Sequence, residues 1–401
     1  LTTTLRYKFV LALFCLLVSL AFVGCTQRET SIGSDAAGPP SEAQFDTVAV
    51  VFCTQDTVWH PRVSNGLGLS LQWGDAGNFH AVCLLRFLPA SVLPDSFRVD
   101  SNRLVLRGAA TLPEGTFAPG LATIWLITDP WSQDTVRVDN QPGYEAIPLM
   151  ENLPMNAEAT DSFDVHLPDT LVERWAAGDT MNWGIWIEPQ DTAEFLREFY
   201  SGESGIGFAP ALFLYGAQYD TNDEGQWEES VLDTFATPED DAYLAWDRQP
   251  PLEGRMMLTQ GLSQRLLLYF PVESVIPDYG VSVIHAEFYL RADNMSDANF
   301  GSVSLFKDGT LKTDAWRRDL DSTVTDQISI ASYPFDADNE EVVFDVTSVV
   351  SDWVQNPETN TGFFVAASGE AQALGRCVFY NRLAQDTTVV PELRIWYITA
   401  Y

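Results

Sequence analysis

Histidine, cysteine and basic side chains are scarce in this 401-residue chain: 4 His, 5 Cys and 22 Lys plus Arg stand against 56 Asp plus Glu. Each shortage excludes a class of chemistry. His60, His80, His166 and His285 are scattered, and no GxSxG, HExxH or P-loop occurs. No local motif therefore assembles the base-plus-nucleophile pair that covalent catalysis needs. Unclustered cysteines leave nothing for a zinc site. A net charge of −34 repels phosphate backbones and argues against nucleic acid as a partner. Charged residues at 19% beside 46% apolar residues are globular composition, not that of a disordered chain. The apolar run Phe9–Val23 has 15 residues, short of the roughly 20 that a membrane-spanning helix requires.

What is present begins with that run. Arg6 and Lys8 precede it and Gly24-Cys25 ends it, the order of a secretory signal. A cysteine after a small residue resembles the bacterial lipobox, although Phe22 stands where Leu is usual. The resemblance implies a signal peptide over 1–24, with Cys25 diacylated as the membrane anchor; a plain secretory signal is the alternative. Residues 25–44 are polar, contain Gly38-Pro39-Pro40 and read as a flexible tether, about 65 Å long when fully extended. Thr26 after the cysteine, by resemblance to sorted lipoproteins, implies the outer membrane or cell surface.

The remainder is one unit written twice. FDTVA (Phe45–Ala49) recurs as LDTFA (Leu232–Ala236), followed by Trp59 and Trp246, Leu71 and Leu258, Gly74 and Gly261. LLRFLPASVLPD (Leu84–Asp95) recurs as LLYFPVESVIPD (Leu267–Asp278), and Trp175…Asn182-Trp183-Gly184 as Trp353…Asn360-Thr361-Gly362. PALFLY (Pro210–Tyr215) and PELRIW (Pro391–Trp396) stand near the two ends. This order predicts homologous repeats over 45–218 and 231–401, flanking an acidic linker at 219–230. Ile284, Ala286, Phe288 and Leu290 alternate with polar neighbours, as do Leu104 and Leu106, which predicts half-buried strands. Val346, Val349, Val350, Trp353 and Val354 form one helical stripe stopped by Asn356-Pro357; Leu167, Leu171, Val172 and Trp175 match it. The expected fold is all-β: two tandem jelly-roll-like β-sandwich domains, each with one short helix.

The run LLRF…PASVLPDSFRVDSNRLVLR, then IWLITDPWSQDTVRVDNQP (Ile124–Pro142), then FDV…W…NWGIWI and the closing FYS…PALFLY, resembles the DNRLRE-type extracellular β-sandwich domain. That family is similar to a class of carbohydrate-binding modules of bacterial surface and secreted proteins. The second copy departs from it around Trp316, so the resemblance carries the core pattern and not a ligand.

Sugar binding by a β-sandwich uses rings stacked on sugar faces. Recurring Trp175, Trp353, Phe163, Phe344 and Trp396 read as core. Trp73, Trp131, Tyr144, Trp227 and Trp316 are polar-flanked and unmatched, which makes them the candidate stacking rings, with packing or loop anchoring as the plainer alternative. DTNDEG (Asp220–Gly225) has the alternating oxygens of a calcium loop at Asp220, Asn222 and Glu224, but Val231 holds the twelfth position. Asp336 and Asp338 likewise gather carboxylates. Calcium is the one cofactor these segments suggest, and generic acidic loops explain both. Cys53 and Cys83 would close a loop of about 30 residues worth roughly 3–4 kcal/mol if bridged; two buried thiols are the alternative. Cys377 reads as a small core residue. The function expected is a non-enzymatic surface lipoprotein that binds extracellular polysaccharide or serves adhesion. A structural spacer that contacts envelope proteins is the first alternative. A polysaccharide-cleaving enzyme with two facing carboxylates is the second.

Overall fold

Alternation becomes strand throughout the computed structural model. It describes residues 47–399 apart from 60–64, 77, 95, 113–119, 156–161, 191–194, 222–226, 249–251, 263, 277–279, 297–299, 309–326, 336–340 and 369–373. The first copy contributes β3 (Ser70–Ala76), β4 (Phe79–Phe87), β5 (Phe97–Leu112), β6 (Gly120–Leu126), β7 (Met150–Met155) and β8 (Ser162–Val165). Helix α1 (Asp169–Ala176), β9 (Ile185–Pro189), β10 (Leu196–Tyr200) and β11 (Ala211–Thr221) complete it. The second contributes β14 (Arg255–Gln260), β15 (Arg265–Tyr269), β16 (Val281–Arg291), β17 (Ser302–Asp308), β18 (Gln327–Pro334) and β19 (Glu341–Asp345). There α2 (Thr347–Gln355), β20 (Phe363–Ala367), β21 (Gly375–Tyr380) and β22 (Glu392–Thr399) follow. Leu104, Leu106 and Phe163 from one sheet meet Leu85, Ile124 and Ile187 from the facing sheet in one core. Phe288, Phe344, Leu266 and Val365 do the same in the second. Both helices lay the expected stripe on these cores, Leu171, Val172 and Trp175 in α1 and Val349, Val350 and Trp353 in α2. The all-β class follows directly.

Two strand pairs lie outside the copy that encodes them. β1 (Thr47–Phe52) pairs with β22, and β2 (Gln55–Trp59) pairs with β15, both in the second copy. Reciprocally, β12 (Trp227–Ala236) pairs with β11 and β13 (Pro238–Asp247) pairs with β4, both in the first. The sheet orders are accordingly equivalent: β12-β11-β5 with β8 on β5 matches β1-β22-β16-β19, and β13-β4-β9-β6-β7 matches β2-β15-β20-β17-β18. In the first copy β10 and β3 join the two sheets. Residues Asp46–Tyr401 form one compact unit. The described ends of segment 219–230 are strand, with Thr221 opposite Trp227 across a β11–β12 hairpin and Glu228, Glu229 and Ser230 exposed. Strands accept those acids because their side chains point to solvent.

Recurrence of Asn-x-Gly has a local cause. Asn182 is buried, donates from Nδ2 to the Phe87 carbonyl at 2.6 Å and accepts from the Gly184 amide at 3.1 Å. Asn360 repeats this with the Phe270 carbonyl at 2.8 Å and the Gly362 amide at 3.2 Å. Gly184 has φ +86°, and a Cβ there would stand 2.1 Å from the Leu85 carbonyl oxygen, so only glycine fits.

Two expectations of sidedness are corrected. Ile284 is exposed because a register shift between Val283 and His285 breaks the alternation before Ala286. Trp396 is half-buried on the outer side of its sheet, its ring 5.2 Å from His285, because Leu393, Ile395 and Tyr397 take the inward positions.

Candidate functional site: an aromatic sheet face

Sheet β13-β4-β9-β6-β7 turns one side to the first core, and its other side carries rings. On β9, Ile185 and Ile187 point inward while Trp186 and Glu188 point outward; on β6, Ile124 points inward while Thr123 and Trp125 point outward. Register sets Trp125 opposite Trp186, Thr123 opposite Glu188 and Trp246 opposite His80. The segment after β6 then folds over part of this face. Tyr144 forms a bridge with Ile127, and the Thr128 amide donates to the Gly143 carbonyl at 2.9 Å, so Tyr144 is held alongside β6.

Five rings make one row. Centroids are 5.2 Å apart for Trp125 and Tyr144, 5.0 Å for Tyr144 and Trp186, 6.3 Å for Trp186 and Trp246, and 5.4 Å for Trp246 and His80. Tyr144 is 39% exposed and Trp186 only 2%, with Trp125 and Trp246 half-buried between them. The outer rings thus present partial faces on a base formed by Trp186. Buried Nε1–H groups of Trp125 and Trp186 make no hydrogen bond, a cost of about 1–3 kcal/mol each.

Polar groups border the row. Gln190 Nε2 donates to Thr123 Oγ1 at 2.8 Å. His80 Nδ1 lies 3.2 Å from Asp75 Oδ2 and 3.0 Å from an Arg248 guanidinium nitrogen, while Arg248 pairs with Asp75 at 2.7 Å. Glu188 comes within 4.0 Å of His80 Nε2. Partial burial, with the Glu188 charge, raises the Tyr144 phenol above its usual range and keeps it neutral, able to donate and accept. Rings beside carboxylate, amide, imidazole and hydroxyl groups can stack on a pyranose and bond its hydroxyls.

The sequence candidates separate. Tyr144 belongs to the row. Trp131 lies beneath the folded-over segment and donates from Nε1 to the Trp183 carbonyl at 2.8 Å, so it anchors that segment. Trp73 is fully buried in the first core, 6.0 Å from Phe195. Trp227 and Asp220 occupy ladder positions in β12 and β11, opposite Thr221 and Glu228; their side chains lie outside the described residues. Trp316, Cys25, Asn222, Glu224, Asp336 and Asp338 also lie outside them. Cys53 and Cys83 are free thiols in two different cores, because Cys53 follows β1 into the second. Among the described residues, no group of three or more His, Cys, Asp or Glu is placed to hold a metal ion. Trp125, Trp186, Trp246, His80 and Glu188 were not singled out by sequence, although outward parity on IWIE and on TIW was the available signal.

A second polar arrangement lies on β13. Arg86 pairs with Asp240, whose Oδ1 accepts from the Gln133 amide at 3.0 Å. Asp241, 1% exposed, accepts from the Gly202 amide at 2.6 Å. Burial first, then the adjacent Glu203 charge, pushes the Asp241 carboxyl up to about 8. Glu203, Glu239 and Asp241 line a cavity of about 180 Å³.

No helix among the described residues is long and apolar enough to cross a membrane. No protein-family model matches the chain, and no curated protein matches it.

Proposed function

We propose that the chain is a non-enzymatic, exported lipoprotein anchored at Cys25, and that it binds extracellular glycan on the Trp125–Tyr144–Trp186–Trp246 face. The carrying observation is the row itself: four adjacent rings, spaced 5.0–6.3 Å, bordered by Glu188, His80 and the Thr123–Gln190 pair. Spacing of this order suits one or two sugar rings along the row, with the bordering groups reading hydroxyls. The strong negative charge favours neutral polysaccharide over acidic polymers.

A glycan array followed by titration calorimetry tests this. A hit should weaken about tenfold on Trp125→Ala and on Tyr144→Ala, the loss of roughly 1.4 kcal/mol per ring, while Trp396→Ala on the other sheet leaves it unchanged. Absence of binding across neutral glycans would refute the proposal and leave the spacer reading, which the burial of Trp73 and Trp131 favours.

A further inference from the structure

We propose that the strand exchange seen within one chain also operates between chains, so that the β1–β2 pair of one molecule completes the second copy of another, head to tail. The reasoning does not depend on what the aromatic face binds.

Each sandwich takes the outer strands of both its sheets from elsewhere. In the first copy, β12 and β13 from the start of the second copy fill these places, bringing Leu232 and Ala236 into the core. In the second copy, β1 and β2 fill them, bringing Ala49, Val51 and Cys53 into the core. Donor and acceptor are therefore the same pair of surfaces used twice: the start of one unit lies on the last strand and on the β4-type strand of the unit before it. In the second unit the start of the chain fills this position, β1 on β22 and β2 on β15.

Homology makes a second molecule a chemically identical occupant of that position. The first two strands of another chain offer the same ladder to β22, from Thr47 opposite Tyr397 to Phe52 opposite Glu392. They offer the same fastening beside it, where the Cys53 amide donates to the Pro391 carbonyl at 3.1 Å and Arg382 pairs with Asp56 at 3.4 Å. Such a contact is heterologous: donor and acceptor are different patches. Closure within one chain gives a monomer, closure over two chains gives a ring, and failure to close gives a filament. The intrachain form dominates in dilute solution, because a tethered strand has an effective concentration of about millimolar. Exchange between chains grows with local concentration, as on a crowded surface.

Val50 stands opposite Arg394 in the β1–β22 register, which supplies the test. V50C and R394C are made singly in the full chain, mixed in denaturant and refolded together at concentrations up to about millimolar with oxidised glutathione. Mass spectrometry then looks for the peptide pair joining residues 50 and 394. The double variant V50C/R394C reports whether the ladder still forms, and it should close within one chain at low concentration. The expected result is an interchain 50–394 link whose yield rises with concentration. If the double variant closes and the mixed single variants give no such link at any concentration, the proposal is overturned. Should neither single variant refold, Val50→Thr chains carrying two different affinity tags, refolded together, replace them, and failure to co-purify at high concentration has the same consequence.

Discussion

Replacing Asp241 by asparagine should stabilise the protein at neutral pH and not at pH 4. The carboxyl sits on β13, the exchanged strand, almost without solvent, beside Glu203 and Asp240, and receives one amide hydrogen bond from Gly202. Its folded-state value, raised to about 8 from 3.8, means that the native protein keeps this proton where the unfolded chain has lost it. With an acid raised in this way, stability is highest below about pH 4 and falls as pH climbs toward 8, beyond which it levels. At pH 7 the difference amounts to about 4 kcal/mol, at 1.36 kcal/mol per unit, before any relaxation around the pair. Asparagine is neutral at every pH, keeps an oxygen for the Gly202 amide, and turns an amide N–H toward Glu203. Urea denaturation of both proteins at pH 4, 5.5, 7 and 8.5 supplies the comparison. The gap should open from near zero at pH 4 to a few kcal/mol at pH 7. Differencing removes the background of the other acids, which titrate in both proteins. A gap that is constant over this range, or one that favours the wild type at pH 7, would refute a proton held on Asp241.

Two other predictions need only folding and mass measurements. Gly184→Ala should cost about 3 kcal/mol or more, because it adds a clash with the Leu85 carbonyl to a positive φ. Gly178→Ala, at φ +81° with open space around it, should cost about 1 kcal/mol, and equal losses at the two sites would contradict the clash. Burial raises the Cys53 thiol to about 12, helped by Asp56, and raises Cys83 well above its ordinary value. Iodoacetamide at pH 8 should therefore leave both unmodified in the native protein and modify both in urea, and reductant should not move the melting temperature. Native alkylation of either thiol would show that its core is open.

Strand parity was legible where one side of a strand was polar and the ladder kept its register; at Ile284, before the shift in β16, it failed. Leu104 and Leu106 on β5, and the stripe of Val349, Val350 and Trp353 on α2, lie where their periods place them. Parity failed as a guide on β9, where Ile185, Trp186 and Ile187 are all apolar and the outward Trp reads as part of a core run. The same mask hid Trp125 beside Ile124. Trp246 was hidden differently: it stood out only as the match of Trp59, and recurrence alone does not say which way a ring points. Trp73 misled in the opposite direction, because polar neighbours Gln72 and Asp75 suggested a surface ring, while Gln72 is itself buried. Tyr144 kept the exposure that its polar neighbours suggested, as did Glu145 beside it.

The exchange of strands could not be read at all, and the reason is physical. Ladder hydrogen bonds are made by backbone, and the apolar alternation of β1 resembles that of β12 because the two are copies. Pairing of β1 with β11 and pairing of β1 with β22 therefore bury equivalent side chains, and no pattern of residues distinguishes them. The choice falls to the connections, and the consequence reaches the site. Trp246 belongs by sequence to the second copy and by position to the first copy's aromatic face, opposite His80. A division of the chain between 218 and 231 strips β12 and β13 from the first sandwich, leaves the ladder edges of β11 and β4 unpaired, and removes one ring from the row. The full row is built only when both copies are present, so any role that the row has depends on the exchanged pairing.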